Sequence, residues 1–290
     1  MFELQPISAE VKIEGFHTIY YFEFGKNFTH TPEKHDFWEM VYVDSGRIVA
    51  ITDGIGYRLH QGQALFHQPG EIHAHISDNE VSNNMFIISF SADIKNADFF
   101  KKKIFTLDKT QQTLLSLFLE EAKKALGTIP HTYENKENLD FSNAPYGSTQ
   151  LLGCYLTELI IKLIRGDSSL SKKITLDVRS REIAKNSVAE MIIEYLKENV
   201  YSSLSLNDVC SHFLIGKSQL SIIFNSYTGK SPMDYYNTLK IHEAKKLLRE
   251  SSLSVNEISD KLGYSSIHNF SRAFKKAVSV SPLTYKKSIR

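Results

Sequence analysis

Up to Phe90 the apolar residues come in short or alternating runs, and beyond it they change to helical spacing. Met40-Val41-Tyr42-Val43, Tyr57-Arg58-Leu59 and Phe86-Ile87-Ile88-Ser89-Phe90 are set apart by Gly, Asp, Asn and Pro, as short strands joined by turns require. The stretch from Phe16 to Phe90 therefore predicts an all-β sandwich or barrel. From Leu107 onward Leu114, Leu115, Phe118, Leu119, Ala122 and Leu126 fall on one helical stripe, ended by Gly127. Residues 128–148 are polar, with Pro130 and Pro145, and read as a long loop. A second helix, about 148–164, carries Leu151, Leu152, Tyr155, Leu159, Ile160 and Leu163 around much of its circumference. It needs cover from its own domain or from a partner subunit. The stretch 166–185 is rich in Ser, Lys and Asp and reads as a linker.

Everything after the linker has helical period, starting with Val188, Met191, Ile192, Tyr195 and Leu196 on one face. Ser205-Leu206-Asn207-Asp208-Val209 recurs as Ser254-Val255-Asn256-Glu257-Ile258. Phe224, Ser231, Pro232 and Tyr235 recur as Phe274, Ser281, Pro282 and Tyr285. The offset grows from 49 to 50, which puts one extra residue in the second copy near Gly263-Tyr264-Ser265. Each copy opens with Ser followed three positions later by an acid, a helix start in which hydroxyl and carboxylate satisfy free N–H groups. Gly263 can end the helix from Ser254, and Ser266 can cap the next. The product is helix, tight turn, helix, expected at about 205–227 and about 254–277. In the second copy Phe270, Ala273, Phe274 and Ala277 point inward, leaving Ser266, His268, Asn269, Ser271, Arg272, Lys275 and Lys276 outward. Such a face in a major groove can set Arg272 on guanine, Asn269 or His268 on other base edges, and Lys275 and Lys276 on phosphates. In the first copy Leu220, Ile223, Phe224 and Tyr227 point inward, and Lys217, Ser218, Gln219, Ser221, Ile222, Asn225 and Ser226 outward. Ile222 stands where Arg272 stands, offering an apolar surface to a thymine methyl, so the second copy is expected to carry more of the readout. Between the copies a helix from about 233 to 249, with Tyr236, Leu239, Ile241, Ala244, Leu247 and Leu248, joins the two units.

At 290 residues the chain has room for about two domains. The net charge of +1 hides a division: residues 1–185 hold 20 Lys and Arg against 24 Asp and Glu, and residues 186–290 hold 14 against 9. Only the C-terminal part has a surplus suited to phosphates. No apolar run approaches the roughly 20 residues that span a bilayer, and the first residues lack a basic-then-apolar export signal, so a cytoplasmic location without membrane contact is expected. Cys154 and Cys210 lie in apolar helical patterns rather than in a redox or ligand pair, and read as small core residues.

The run from Ile241 to Tyr285, with Ala244, Leu247-Leu248, Val255, Glu257-Ile258, Leu262-Gly263-Tyr264, Phe270-Ser271-Arg272, Phe274-Lys275-Lys276 and Ser281-Pro282, resembles the AraC/XylS family of bacterial transcription regulators. It departs from that pattern at Ser259, Ser279 and Ile222. The resemblance implies a seven-helix DNA-binding domain with two recognition helices in adjacent major-groove segments. His35-Asp36-Phe37-Trp38-Glu39, with Gly46, and the stretch from Gly62 through Pro69-Gly70-Glu71-Ile72-His73 resemble the two short motifs of a cupin barrel. Carried over, the metal positions of such barrels are Glu33, His35, Glu39 and His73, with Glu33 where the first His belongs. No metal or other cofactor is expected; were an ion present, those four residues would hold it. The barrel is instead expected to hold a small effector, possible liners being His35, Trp38, Glu39, Tyr42, Arg47 and His73, a set suited to a sugar.

The expected fold is multidomain α+β: a cupin-like β-barrel sensor over residues 1–105, helices for dimerisation over 106–165, a linker over 166–185, and an all-α double helix-turn-helix domain over 186–290. The expected function is that of an effector-controlled transcription activator rather than an enzyme, with double-stranded DNA, RNA polymerase and a second copy as partners. The alternative is a metal-dependent cupin enzyme with a helical appendage.

Overall fold

In a computed structural model, which describes residues 2–26, 28–77, 80–129, 138–166 and 178–288, the chain divides into two compact units between Ala184 and Lys185. Parts of the expected long loop (130–137) and of the expected linker (167–177) lie outside the described residues.

Among the described residues the first unit has eight strands: β1 (Val11–Phe24), β2 (Trp38–Ser45), β3 (Arg47–Thr52), β4 (Ile55–His60), β5 (Gln63–His67), β6 (His73–Ser77), β7 (Asn83–Ile94) and β8 (Ile104–Thr106). They form a five-stranded sheet in the order β1-β7-β2-β5-β8 and a three-stranded sheet in the order β4-β3-β6. Every pairing is antiparallel. Strand alternation separates two cores. Val41 and Val43 of β2 join Ile48, Leu59, Leu65 and Met85 between the sheets. Trp38, Met40 and Tyr42 of the same strand face the other way, into a core closed by Phe100, α1 (Lys109–Leu126) and α2 (Ser148–Gly166).

Asp108 and Gln111 form a capping box at the start of α1, and Gly127 ends it at φ +74°. Ser148, buried at the start of α2, donates from Oγ to Glu121 Oε1 of α1 at 2.6 Å. The unit itself covers α2 through Leu152, Leu156, Leu159, Ile160 and Leu163, but Leu151 is exposed. Cys154 is exposed and Cys210 half-buried, which corrects the expectation that both are core residues. Cys154 borders an open groove between α2 and β1, on the side of α2 turned from the core.

The second unit comprises α3 (Val178–Glu198) from residue 185 on, α4 (Leu206–His212), α5 (Lys217–Thr228), α6 (Pro232–Glu250), α7 (Val255–Lys261), α8 (Ile267–Val278) and α9 (Pro282–Ser288). Ser205 with Asp208 and Ser254 with Glu257 make the two capping boxes. The repeat extends to packing: Phe224 meets Tyr235 and Phe274 meets Tyr285, each with ring centroids 5.5 Å apart. The turn positions also correspond. Gly263 has φ +64°, and its counterpart Leu214 is forced to φ +53°. A Cβ on Gly263 would lie 2.8 Å from the Ser202 carbonyl carbon, so this glycine serves close approach as well as backbone conformation.

Candidate functional site

In the second unit the outward faces of α5 and α8 are the candidate DNA interface. Leu220, Ile223 and Phe224 anchor α5, and Phe270 and Phe274 anchor α8. Opposite these anchors His268, Asn269, Arg272, Lys275 and Lys276 are exposed, and Ser271 is half-buried beside them. Ser266 is occupied as the N-cap of α8, accepting from the Asn269 backbone N–H at 3.2 Å, and Asn269 Nδ2 donates to Ser265 Oγ at 2.8 Å. On α5 Lys217, Ser218, Gln219 and Ile222 are exposed, Ile222 at 64%, and Ser221 is half-buried. Two residues expected inward are not: Tyr227 is exposed with its hydroxyl donating to Glu190 at 2.7 Å, and Ala277 yields its inward place to Val278. In both cases the last helical turn drifts from the core stripe, because 3.6 residues per turn does not keep a strict three-four spacing.

Sequence reasoning missed Lys240. It is buried in α6 at 4% exposure, and its ammonium donates to the Ser202 carbonyl at 2.6 Å and to the Leu262 carbonyl at the end of α7. Tyr236, one turn earlier, donates to the Asn199 and Ser202 carbonyls at 2.8 and 2.5 Å. Together they fasten the turn before the first helix-turn-helix to the end of the first helix of the second. Burial pushes the Lys240 ammonium down to about 8. No local pattern marks this lysine, since it sits between Leu239 and Ile241 in an otherwise regular stripe.

The first unit gathers polar side chains at one end of its two sheets. β2 places Glu39 opposite His67 of β5 and Ser89 of β7. β3 places Thr52 opposite His73 of β6, with His75 two residues on. Before β2, Glu33 exchanges both backbone hydrogen bonds with His73, at 2.9 and 3.0 Å, and His35 lies four residues before Glu39. The His35 Nε2 atom is 3.7 Å from Glu39 Oε2, and His73 Nε2 is 3.4 Å from Glu39 Oε1 and 3.8 Å from Glu33 Oε1. Ser89 donates to Glu39 Oε2 at 3.1 Å.

Burial pushes the Glu39 carboxyl up, but His35, His73 and His75 outweigh it and hold it well below the usual carboxylate range. Burial pulls the His73 imidazole down, and Glu39 outweighs that in turn, leaving it raised. His67 is held well below its ordinary value and His75 is pushed down to about 3, both first by burial. Two neutral imidazoles can share one N–H, as their Nε2 atoms do at 3.1 Å.

The residues expected to line an effector site do not all meet. His35, Glu39 and His73 converge, whereas Trp38 and Tyr42 lie on the opposite face of β2, because successive strand residues point to opposite sides. Arg47 starts β3, five residues and roughly 17 Å of strand from Thr52 at the cluster, and pairs with Glu80 at 2.6 Å.

A family model for an AraC-like ligand binding domain matches residues 16–99, and one for a helix-turn-helix domain matches residues 209–288. Together they take in more than half of the chain. The chain is similar to the raffinose operon transcriptional regulatory protein RafR of Pediococcus pentosaceus, 28% identical over 139 residues, and the match spans about half of each (48% and 48%). It is 25% identical over 278 residues to the uncharacterized HTH-type transcriptional regulator YfiF of Bacillus subtilis (strain 168), covering 94% of this chain and 84% of that one. To the HTH-type transcriptional activator RhaS of Pectobacterium carotovorum subsp. carotovorum (strain PC1) it is 24% identical over 255 residues, covering 86% and 84%. With a matched sensor domain ahead of a matched paired helix-turn-helix domain, the chain belongs to the AraC family of transcriptional regulators.

Proposed function

We propose that this regulator activates transcription in response to a small effector taken up by its N-terminal β domain, and that α8 supplies most of the base readout. The observation that carries the proposal is the α8 face: five exposed donors and cations on a helix whose other side is pinned by Phe270 and Phe274. Arg272 reads guanine, His268 and Asn269 reach neighbouring base edges or phosphates, and Lys275 and Lys276 hold phosphates. On α5, Lys217, Ser218, Gln219 and Ser221 position the protein and Ile222 meets a thymine methyl. RafR is by its name an operon regulator for raffinose, which supports a sugar as effector, and RhaS is by its name an activator. Leu117 and Leu151, exposed on α1 and α2, support a homodimer formed through these helices. No described helix is long and apolar enough to cross a membrane, and a cytoplasmic site of action beside RNA polymerase fits a DNA-bound activator. The regulator reading is favoured over a cupin enzyme because both matched domains and the named relatives are regulatory.

The test is selection of genomic fragments by the full-length protein at stated salt, followed by sequencing of what is bound. One enriched site with two contacted segments about one helical turn apart is expected. Enrichment of no site above background would sink the proposal.

A further inference from the structure

We propose that Tyr236, Lys240 and Glu243 of α6 form a lock that fixes the two reading helices relative to each other, and so sets the one separation of operator segments that the protein accepts. This rests on the reading of α5 and α8 as the DNA-contacting helices. It gives Lys240 a positioning role, since at 4% exposure its ammonium is out of reach of DNA.

α6 alone is a weak determinant of that separation. It belongs to both copies: Tyr235 near its start packs on Phe224 of α5, and Ile241, Ala244 and Leu248 further along join Phe270 and Phe274 of α8. Among the described residues α5 packs on α4 and α6, while α7, α8 and α9 pack on α6. Two units strung on one rod of 19 residues, roughly 28 Å long, keep their order but can still turn about it. A second attachment, off the axis of the rod, is what stops the turning.

That attachment lies where the loop before α4 meets the end of α7. Tyr236, Lys240 and Glu243 stand four and then three residues apart, on one face of α6. Tyr236 holds the loop through the Asn199 and Ser202 carbonyls, and the Tyr201 hydroxyl donates to Glu243 Oε1 at 2.5 Å. The Lys261 ammonium of α7 lies 5.7 Å from the centre of the Tyr201 ring. Lys240 is the member that grips both copies, donating to the Ser202 carbonyl at 2.6 Å and to the carbonyl of Leu262, the C-cap of α7. The rings of Tyr236 and Tyr264 flank its ammonium, with centres at 4.8 and 5.2 Å. A buried ammonium is costly unless its donors are used, so these carbonyls are held rather than merely touched. Beside them Gly263 lets the two backbones approach as closely as they do.

The reach of these bonds decides the separation. One base pair more or less between two segments moves the second by about 3.4 Å along the duplex and turns it by roughly 34°. Hydrogen bonds of 2.5 to 2.8 Å break well short of such a displacement. With the lock closed α8 cannot follow a neighbouring separation; with it open only α6 resists. A purely stabilising Lys240 predicts otherwise: affinity and stability fall together on its loss, and the preferred separation stays.

The experiment is selection by full-length protein from duplex pools in which the two segments of the enriched genomic site are kept at their native separation or moved by one or two base pairs. The native protein should enrich the native separation at least about tenfold over its neighbours, the scale of one hydrogen bond to a charged group. Two variants open the lock: Lys240→Met, which removes the donors, and Tyr201→Phe combined with Tyr236→Phe, which removes the hydroxyls and keeps the rings. Each should bring neighbouring separations to within about threefold of the native one and leave the base preference inside each segment unchanged. Arg272→Ala should do the reverse, relaxing one base and keeping the separation. Melting followed by circular dichroism shows which variants are folded; Tyr201 is 45% exposed, so the tyrosine variant carries the test should Lys240→Met unfold. Folded variants that keep the native separation as strictly as the native protein overturn the proposal, and so does a native protein that accepts all separations alike. Failure of the native protein to enrich any site is a different result, which removes the DNA reading itself.

Discussion

Arg272 is exposed on α8 where its partner in the first copy is Ile222, and this one exchange divides the work of the two reading helices. If Arg272 makes a bidentate contact to guanine, Arg272→Ala should cost about 1–3 kcal/mol at the selected site and relax preference at one position. Lys275→Ala should instead weaken all sequences alike and lower the salt slope by about 1. Fluorescence anisotropy on matched and mutated duplexes across salt concentrations separates the two; equal effects of both substitutions on all duplexes would refute base readout by Arg272. A second residue-scale consequence concerns Ser279, which ends α8 at φ +67° where its counterpart Gly229 ends α5 at φ +70°. A side chain in that region costs roughly 1 kcal/mol, so Ser279→Gly should stabilise the second unit by about that amount in urea unfolding followed by circular dichroism.

Elements meet through a few polar fasteners whose loss should be felt far beyond their size. Ser148 donates to the nearly buried Glu121 carboxylate at the N-terminus of α2, where negative charge also favours the helix dipole. Ser148→Ala leaves that carboxylate short of a donor and should destabilise the first unit by about 1–3 kcal/mol. The single Trp38, buried against Phe100, reports it by fluorescence; an unchanged midpoint would mean that water replaces the hydroxyl at no cost. Burial in the fold pushes the Lys240 ammonium down to about 8, from the ordinary lysine value of 10.5. Between those values the unfolded chain binds more protons at this side chain than the folded one, so its contribution to stability rises as pH rises through that window. The stability of the native protein relative to Lys240→Met should therefore move in the native protein's favour from pH 8 to pH 10.5. A flat or falling difference would contradict a buried, depressed ammonium.

For the molecule as a whole, the proposed dimer makes a simple prediction. Sedimentation equilibrium should give about twice the 33.1 kDa chain mass, and Leu151→Glu on the exposed side of α2 should return the monomer. A native protein that sediments as a monomer would refute dimerisation through α1 and α2. Features that depend on neighbours along the chain are legible in the residues alone. Capping boxes at Ser205 and Ser254, the glycine stop at Gly127, the inward phenylalanines of α5 and α8, and the −4 and +5 charge division all follow from spacings of a few residues or from composition. The paired helix-turn-helix was legible for that reason, and so was the family. Tertiary structure alone decided what depends on strand pairing and on helix ends. It separated Trp38 and Tyr42 from Glu39, put Arg47 at the far end of β3, and brought His67, His73 and His75 onto Glu39 from two different sheets. It also buried Lys240 against carbonyls 38 and 22 residues away. A one-residue change of register would reverse every one of those strand faces, and register is set by contacts between distant segments that no local pattern records.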